Sequence, residues 1–207
     1  MPNNWFTADL HLGHGNIIKY CQRPFLSDEE RAQAAVDLSG SWSVSQATIR
    51  RHDAALLDAI NAVVQSEDTL WILGDFCSGK IEEVQRYRSR IVCINVYLVW
   101  GNHDHCSIGP AFGKAIEQGM ISVEGQDIWL NHYPMRTWNK SHHGSWQLYG
   151  HVHGRLMKED QQEPWRLTRD VGVDACEYQP LSFSELRSYM EPRMKAFAKH
   201  QNNRISI

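Results

Sequence analysis

The 207-residue chain has no apolar run near the roughly 20 residues that a membrane-spanning helix needs. Its start, Met1-Pro-Asn-Asn4, has neither the basic residues nor the apolar stretch of a secretory signal. The five cysteines, at 21, 77, 93, 106 and 176, form no Cys-x-x-Cys pair, which argues against a thiolate zinc site. Their odd number argues against a disulfide framework, so a reduced, cytoplasmic setting is expected. A P-loop signature is also missing. There is no basic excess either: 21 Lys and Arg face 24 Asp and Glu, for a net charge of -3. A non-specific polyanion binder is thereby disfavoured, and neither membrane nor nucleic acid is an expected partner. With no internal repeat, low-complexity tract or linker, residues 1–207 read as one domain.

What the chain does have is 11 histidines. Their meaning depends on where they fall. Asn4 to Ala8, Thr69 to Leu73 and Ile91 to Val99 are apolar runs of strand length. Between them, Thr48 to Gln65 carries apolar residues at helical spacing and Glu82 to Arg88 forms a polar helix. Further on, Met120 to Glu124 and Asp127 to Leu130 flank Gly125-Gln126 as a hairpin, and Gln147–Gly150 and Arg169–Val173 are short strands. Residues 39–45 read as an irregular surface excursion. Ser182 with Glu185 caps a last helix over about 182–199, and 202–207 are expected to fray. Strands alternating with helices indicate an α/β sandwich, at least partly parallel.

Five polar knots then fall just past strand ends: Asp9-Leu-His11, Gly74-Asp75, Gly101-Asn-His-Asp104, Asn131-His132 and Gly150-His-Val-His153. Taken singly these are weak signals, since a lone histidine is more often structural and Gly-Asp is also a turn. Together they mark the carboxyl edge of the sheets, where α/β proteins bind ligands. Carboxylate, imidazole and amide oxygen without thiolate suit Mn, Fe, Co, Ni or Zn. The donors are too many for one ion, and a carboxylate such as Asp75 can bridge two.

With those five blocks in that order, residues 5 to 154 resemble the calcineurin-like metallophosphoesterase superfamily. Phe6-Thr-Ala-Asp-Leu-His-Leu-Gly-His14, Arg23-Pro-Phe25 and Ser141-His-His-Gly-Ser-Trp-Gln-Leu-Tyr-Gly-His151 are similar to its small bacterial and phage members. The resemblance implies a four-layer α/β/β/α sandwich with two mixed central sheets flanked by helices. It implies two divalent ions, manganese first and Fe, Zn, Ni or Co as alternatives. One would be held by Asp9, His11 and His153 and the other by Asn102, His132 and His151, with Asp75 between them. A bridging hydroxide would attack phosphorus in line, His103 would protonate the leaving oxygen, and Asp104 would polarise His103 from behind. His14, Arg136, His142 and His143 are candidate substrate contacts, each with a structural alternative such as loop capping or surface pairing. Arg23 is expected to pair with a nearby acid, with phosphate binding as the alternative, and Asp170 and Asp174 either buttress the histidines or close a turn. His52, His105 and His200 are read as structural or surface residues.

The implied activity is hydrolysis of a small or nucleotide-derived phosphodiester. The alternatives are a phosphomonoesterase or nucleotide pyrophosphatase of the same fold, or a non-catalytic metal-binding scaffold.

Overall fold

The computed structural model describes residues 2–37 and 40–205. β1 (Asn4–Thr7) is followed by α1 (Gly15–Tyr20), α2 (Asp28–Val36) and α3 (Gln46–Val63), then β2 (Thr69–Leu73), α4 (Ile81–Arg88), β3 (Asn95–Val99) and β4 (Lys114–Ile116). The second half contains β5 (Gln118–Val123), β6 (Gln126–Asn131), β7 (Trp146–Tyr149), α5 (Met157–Gln162), β8 (Thr168–Asp170), β9 (Leu181–Ser182) and α6 (Phe183–Ile205). Two mixed sheets result, ordered β4-β3-β2-β1-β9 and β5-β6-β7-β8. In the first only β9 is antiparallel, and in the second only β5.

Strand periodicity builds the layers. On β2, Leu70 and Ile72 pack with Leu56, Leu57 and Ile60 of α3 and Val84 and Tyr87 of α4. Its alternate residues, Trp71 and Leu73, pack with Ile128, Leu130, Trp146 and Leu148 of the second sheet. Burial on both faces is why β2 reads as an unbroken apolar run. The expected sandwich of two mixed sheets flanked by helices is therefore present. No helix among the described residues is long and apolar enough to cross a membrane.

Several expectations need correction. The third strand begins at Asn95, not Ile91. Upstream, the Arg88 guanidinium donates to the carbonyls of Ile91, Cys93 and Ile94, so these are satisfied away from the ladder. The hairpin turn is Glu124-Gly125, one residue earlier than expected, with φ of 48° and 83°. Residues 40–45 are not a free excursion: Trp42 and Val44 are buried against Ile17, Ile18 and Ile49, while Ser39 lies outside the described residues. The Ser182–Glu185 box caps the last helix, as its two reciprocal bonds of 2.7 and 3.2 Å show. That helix continues to Ile205, and residues 206–207 lie outside the described part.

A second capping box, Ser27–Glu30, starts α2 and also ties it to α3. The buried Glu30 carboxylate accepts from Ser27 N (2.9 Å), Ser45 N (2.7 Å) and the Thr48 hydroxyl (2.6 Å). Burial pushes its pKa up, but the Thr48, Ser27 and Ser45 donors outweigh it and hold the group at about 2. A depressed carboxylate stabilises the fold above its unfolded pKa, and that contribution fades as pH falls from about 4.5 toward about 2. Glu30→Gln is expected to cost about 1–3 kcal/mol at pH 7. In urea unfolding the gap between parent and variant should shrink progressively below about pH 4.5.

Candidate metal centre

The parallel strands β1, β2 and β3 of one sheet, and β6, β7 and β8 of the other, deliver their following loops to one edge. The two sheets are tied together there. Ala8 bridges Gly172, Val173 N donates to Ala8 O (3.1 Å), and His151 N donates to both Asp9 oxygens (3.0 and 2.9 Å). Asp9, His11, Asp75, His151 and His153 all adopt left-handed backbone, with φ between 49° and 70°. Such residues are uncommon outside glycine, and each re-aims its side chain just past a strand. Gly74 has φ 92°, and a Cβ there would run into the His132 ring. At Gly101 a Cβ would strike the Asp75 carboxylate, so the close approach of these loops requires both glycines.

The donor atoms converge accordingly. Asp9, His11 and His153 each bring a donor within 4.8 Å of the others, as do Asp9, Asp75 and His132. Asp75 Oδ2 lies between two imidazoles, 3.4 Å from His11 Nε2 and 3.5 Å from His132 Nε2. Asn102 Oδ1 stands 3.0 Å from His132 Nε2 and 2.9 Å from His151 Nδ1. The seven residues expected from the sequence are thus assembled at one place.

Hydrogen bonds behind the rings set their tautomers. A carbonyl can only accept, so Leu73 O fixes the proton on Nδ1 of His132 (2.8 Å) and leaves Nε2 facing the cluster. Asp174 does the same for His153, taking Nδ1–H at 2.7 Å. Outer-shell partners of this kind are typical of metal-binding histidines. His11, only 2% exposed, has no hydrogen bond to either ring nitrogen. Burial lowers its pKa to about 3, so it is a neutral donor. Burial raises Asp9 to about 7, whereas Asp75 is held at about 2 because the His132 hydrogen bond and charge outweigh its own desolvation. Buried carboxylates and the unbonded, neutral nitrogens of His11 fit a divalent cation, while against their burial Asp75 pushes His132 upward and Asp174 pushes His153 up to about 10.

The remaining candidates divide. His103 is exposed, and its amide donates to Asp75 Oδ1 (2.9 Å). Its ring lies 5.1 Å from that of His11. His14 joins the group, 5.7 Å from His11 and 6.1 Å from His103. Asp104 is a correction, because it does not back His103. Its oxygens accept from the amides of Asp75 (2.8 Å), Gly101 (2.9 Å) and Phe76 (3.0 Å), clamping the loops after β2 and β3 together. His142 and His143 are a second correction: they precede β7, at the end opposite His151, and line cavities that contain none of the seven donors. Arg136 is exposed and lines two cavities that likewise contain none of them.

The expected pairing of Arg23 with an acid and the Asp174 buttress are both present, but the network they belong to, with His52 and Asp53, was missed. Arg23 is buried, and its guanidinium donates to both oxygens of Asp174 (2.9 and 2.7 Å) and to the carbonyls of Asp9 (2.8 Å) and Leu10 (3.1 Å). It also meets His52 Nε2 at 2.8 Å; His52 Nδ1 reaches Asp53, and Asp53 holds the amide of Gly13. Arg23 therefore grips the Asp9 loop directly and His153 through Asp174. A signal was available: His52 and Asp53 stand on the same buried stripe of α3 as Ile49, Leu56 and Leu57, a place for apolar residues. His105, by contrast, only caps a short turn, its Nδ1 accepting from Ser107 N (3.2 Å).

This edge and this sandwich define a metallophosphoesterase-type protein. Residues 51–168, more than half of the chain, match the calcineurin-like phosphoesterase superfamily domain, and the chain belongs to that family. That span carries Asp75, the 101–104 block, His132, His151 and His153, and the fold brings Asp9 and His11 to them. The chain is 35% identical to the Gene 66 protein of Mycobacterium phage L5, over 84% of this chain and 88% of that one. It is 27% identical to an uncharacterized protein of Methanocaldococcus jannaschii, over 92% and 93%. A crystal structure of a protein of unknown function from Aquifex aeolicus has the same fold, with a TM-score of 0.65 and 22% identity, covering 91% of this chain and 99% of that one.

Losing an outer-shell partner typically costs 10–100-fold in metal affinity. Asp174→Asn is expected to weaken Mn²⁺ binding by that order in titration calorimetry, with the circular dichroism spectrum kept. Arg23→Lys, which retains the charge but not the two-pronged contact, should shift affinity the same way.

Proposed function

We propose that the chain is a two-metal phosphodiesterase acting on a small or nucleotide-derived phosphoester in the cytoplasm. The observation that carries this reading is the placement of Asp75: one oxygen stands between His11 and His132, and the other receives the amide of the exposed His103. A single carboxylate is thereby related to two donor groups and to a solvent-facing imidazole beside them. Asp9, His11 and His153 would hold one ion and Asn102, His132 and His151 the other, with Asp75 between them. When bound, the pair of ions supplies a water of lowered pKa and neutralises phosphate charge.

The chain's own residues do the rest. His103, exposed on the solvent side of the cluster, is placed to give a proton to the departing ester oxygen. Its amide bond to Asp75 fixes where the ring starts. Asp104 acts on this geometry through the backbone, by holding Gly101 and Asp75 in register. His14 is placed to orient the ester, since its buried Nδ1 has no hydrogen-bond partner. Manganese is the first ion to try, because the O/N donor set accepts several divalent metals.

The test compares Mn-supplemented hydrolysis of bis(p-nitrophenyl) phosphate and p-nitrophenyl phosphate by the parent, His103→Ala and Asp75→Ala. The diester should be the better substrate. His103→Ala should lose roughly 10²–10⁴-fold in kcat while keeping its bound metal. Asp75→Ala should fall to background and bind fewer ions; full activity in that variant would overturn the two-metal reading.

A further inference from the structure

Beside the loop that carries His11 lies a cavity of about 540 Å³ between α3 and α4. Its lining includes Arg50 on α3, Arg86 on α4, and Arg90 two residues past the end of α4. The guanidiniums of Arg50 and Arg90 have no hydrogen-bond or ion-pair partner among the described residues. Arg86 makes only an exposed 3.7 Å contact with Glu83 and lies over the Tyr87 ring, 5.0 Å from its centroid. Two acids share the cavity. Glu83 faces Arg86, and the buried Asp53 is fully engaged by Gly13 N, the Tyr87 hydroxyl (2.6 Å) and His52. In a chain of net charge -3, two unpaired guanidiniums and a half-paired third around one concavity are a local excess of positive charge.

The cavity's position ties it to the metal edge. Its lining also includes Gly13 and Ser78, two residues past His11 and three past Asp75. At 3.8 Å per Cα step, that is within roughly 8–11 Å of chain from the donor cluster. Its floor is coupled to the same loop, because the Tyr87 hydroxyl and the Gly13 amide share the Asp53 carboxylate.

We propose that this cleft binds a second phosphate of the substrate, so that the preferred ester is nucleotidic and carries a further phosphate one or two linkages from the scissile one. Guanidiniums on two helices can present forked donors to several phosphate oxygens, which a single carboxylate would use less fully. The proposal rests on the hydrolase reading for its catalytic consequence, though not for binding.

The test uses a dinucleoside monophosphate without a terminal phosphate and with one, the 5′- and 3′-phosphorylated forms measured separately. The Mn-loaded parent is expected to show a KM about tenfold lower for at least one phosphorylated form. In R50Q/R90Q that ratio should fall to about one, with the circular dichroism spectrum unchanged. Equal KM values for all forms in the parent, or a ratio that the variant leaves standing, overturns the proposal. Calorimetry of the same compounds on the full chain in EDTA gives the ratio as a ratio of affinities. A failure of hydrolysis then removes only the proposed activity, and an affinity ratio of one removes the cleft. Inorganic pyrophosphate separates the remaining source. If R50Q/R90Q loses pyrophosphate binding but keeps the dinucleotide ratio, the site takes free anions and the proposal falls.

Discussion

The candidate metal edge depends on a backbone constraint: Asp9, His11, Asp75, His151 and His153 all sit in left-handed conformation within four residues of a strand end. Each such residue costs on the order of 1–3 kcal/mol and persists only where its surroundings over-determine it. Here the surroundings are side-chain carboxylates acting on main-chain amides. Asp104 takes three of them, Asp9 takes that of His151, and Asp170 takes those of Gly154 and Gly172. Arg23 supplies the complement by donating to the carbonyls of Asp9 and Leu10. The strained turns are held by a polar lattice one layer behind the donors.

That lattice also accounts for the electrostatics. Asp9, Asp75 and Asp170 are all buried; desolvation pushes Asp9 and Asp170 upward, with the charge of Asp170 adding to the effect at Asp9, while His132 holds Asp75 down. Behind them the buried Arg23 guanidinium neutralises Asp174, which is held down by His153 and Arg23 despite its burial. What remains uncompensated faces the cluster itself, on Asp9 and on the unbonded nitrogens of His11. Charge is balanced at the back of the site and left open at the front, where divalent ions would complete it.

Much of this was legible because it lies in local patterns. The strand-end blocks are contiguous, β2 is an unbroken apolar run and α3 is long and periodic, so the fold class and the residues that gather at this edge were legible in the sequence. What was not legible depends on pairings distant in the chain. Arg23 and Asp174 are separated by 151 positions, and nothing local to either reveals the other. The resemblance implied that Asp104 polarises His103, whereas its carboxylate is turned toward the amides of Asp75, Phe76 and Gly101. His142 and His143 sit near His151 in number, but the length of β7 puts them at the opposite end of the strand. Trp42 and Val44 have too short and polar a context to signal burial; only α1 and α3, packing over them, make it necessary.

The two sheets meet at the edge that assembles the site. Ala8 pairs with Gly172, and Asp9 accepts the amide of His151, so the residues that seal the sheet interface are neighbours of donors or donors themselves. Forming the site and closing the sandwich are in this sense one event. An ion bound between Asp9, His11 and His153 would link the first sheet to the second and would favour the folded state alone, since the unfolded chain has no preformed site. Such binding adds stability by mass action, RT ln(1 + [L]/Kd), without any new packing. A cation bound there would offset the cost of burying such polar residues at the centre of the molecule.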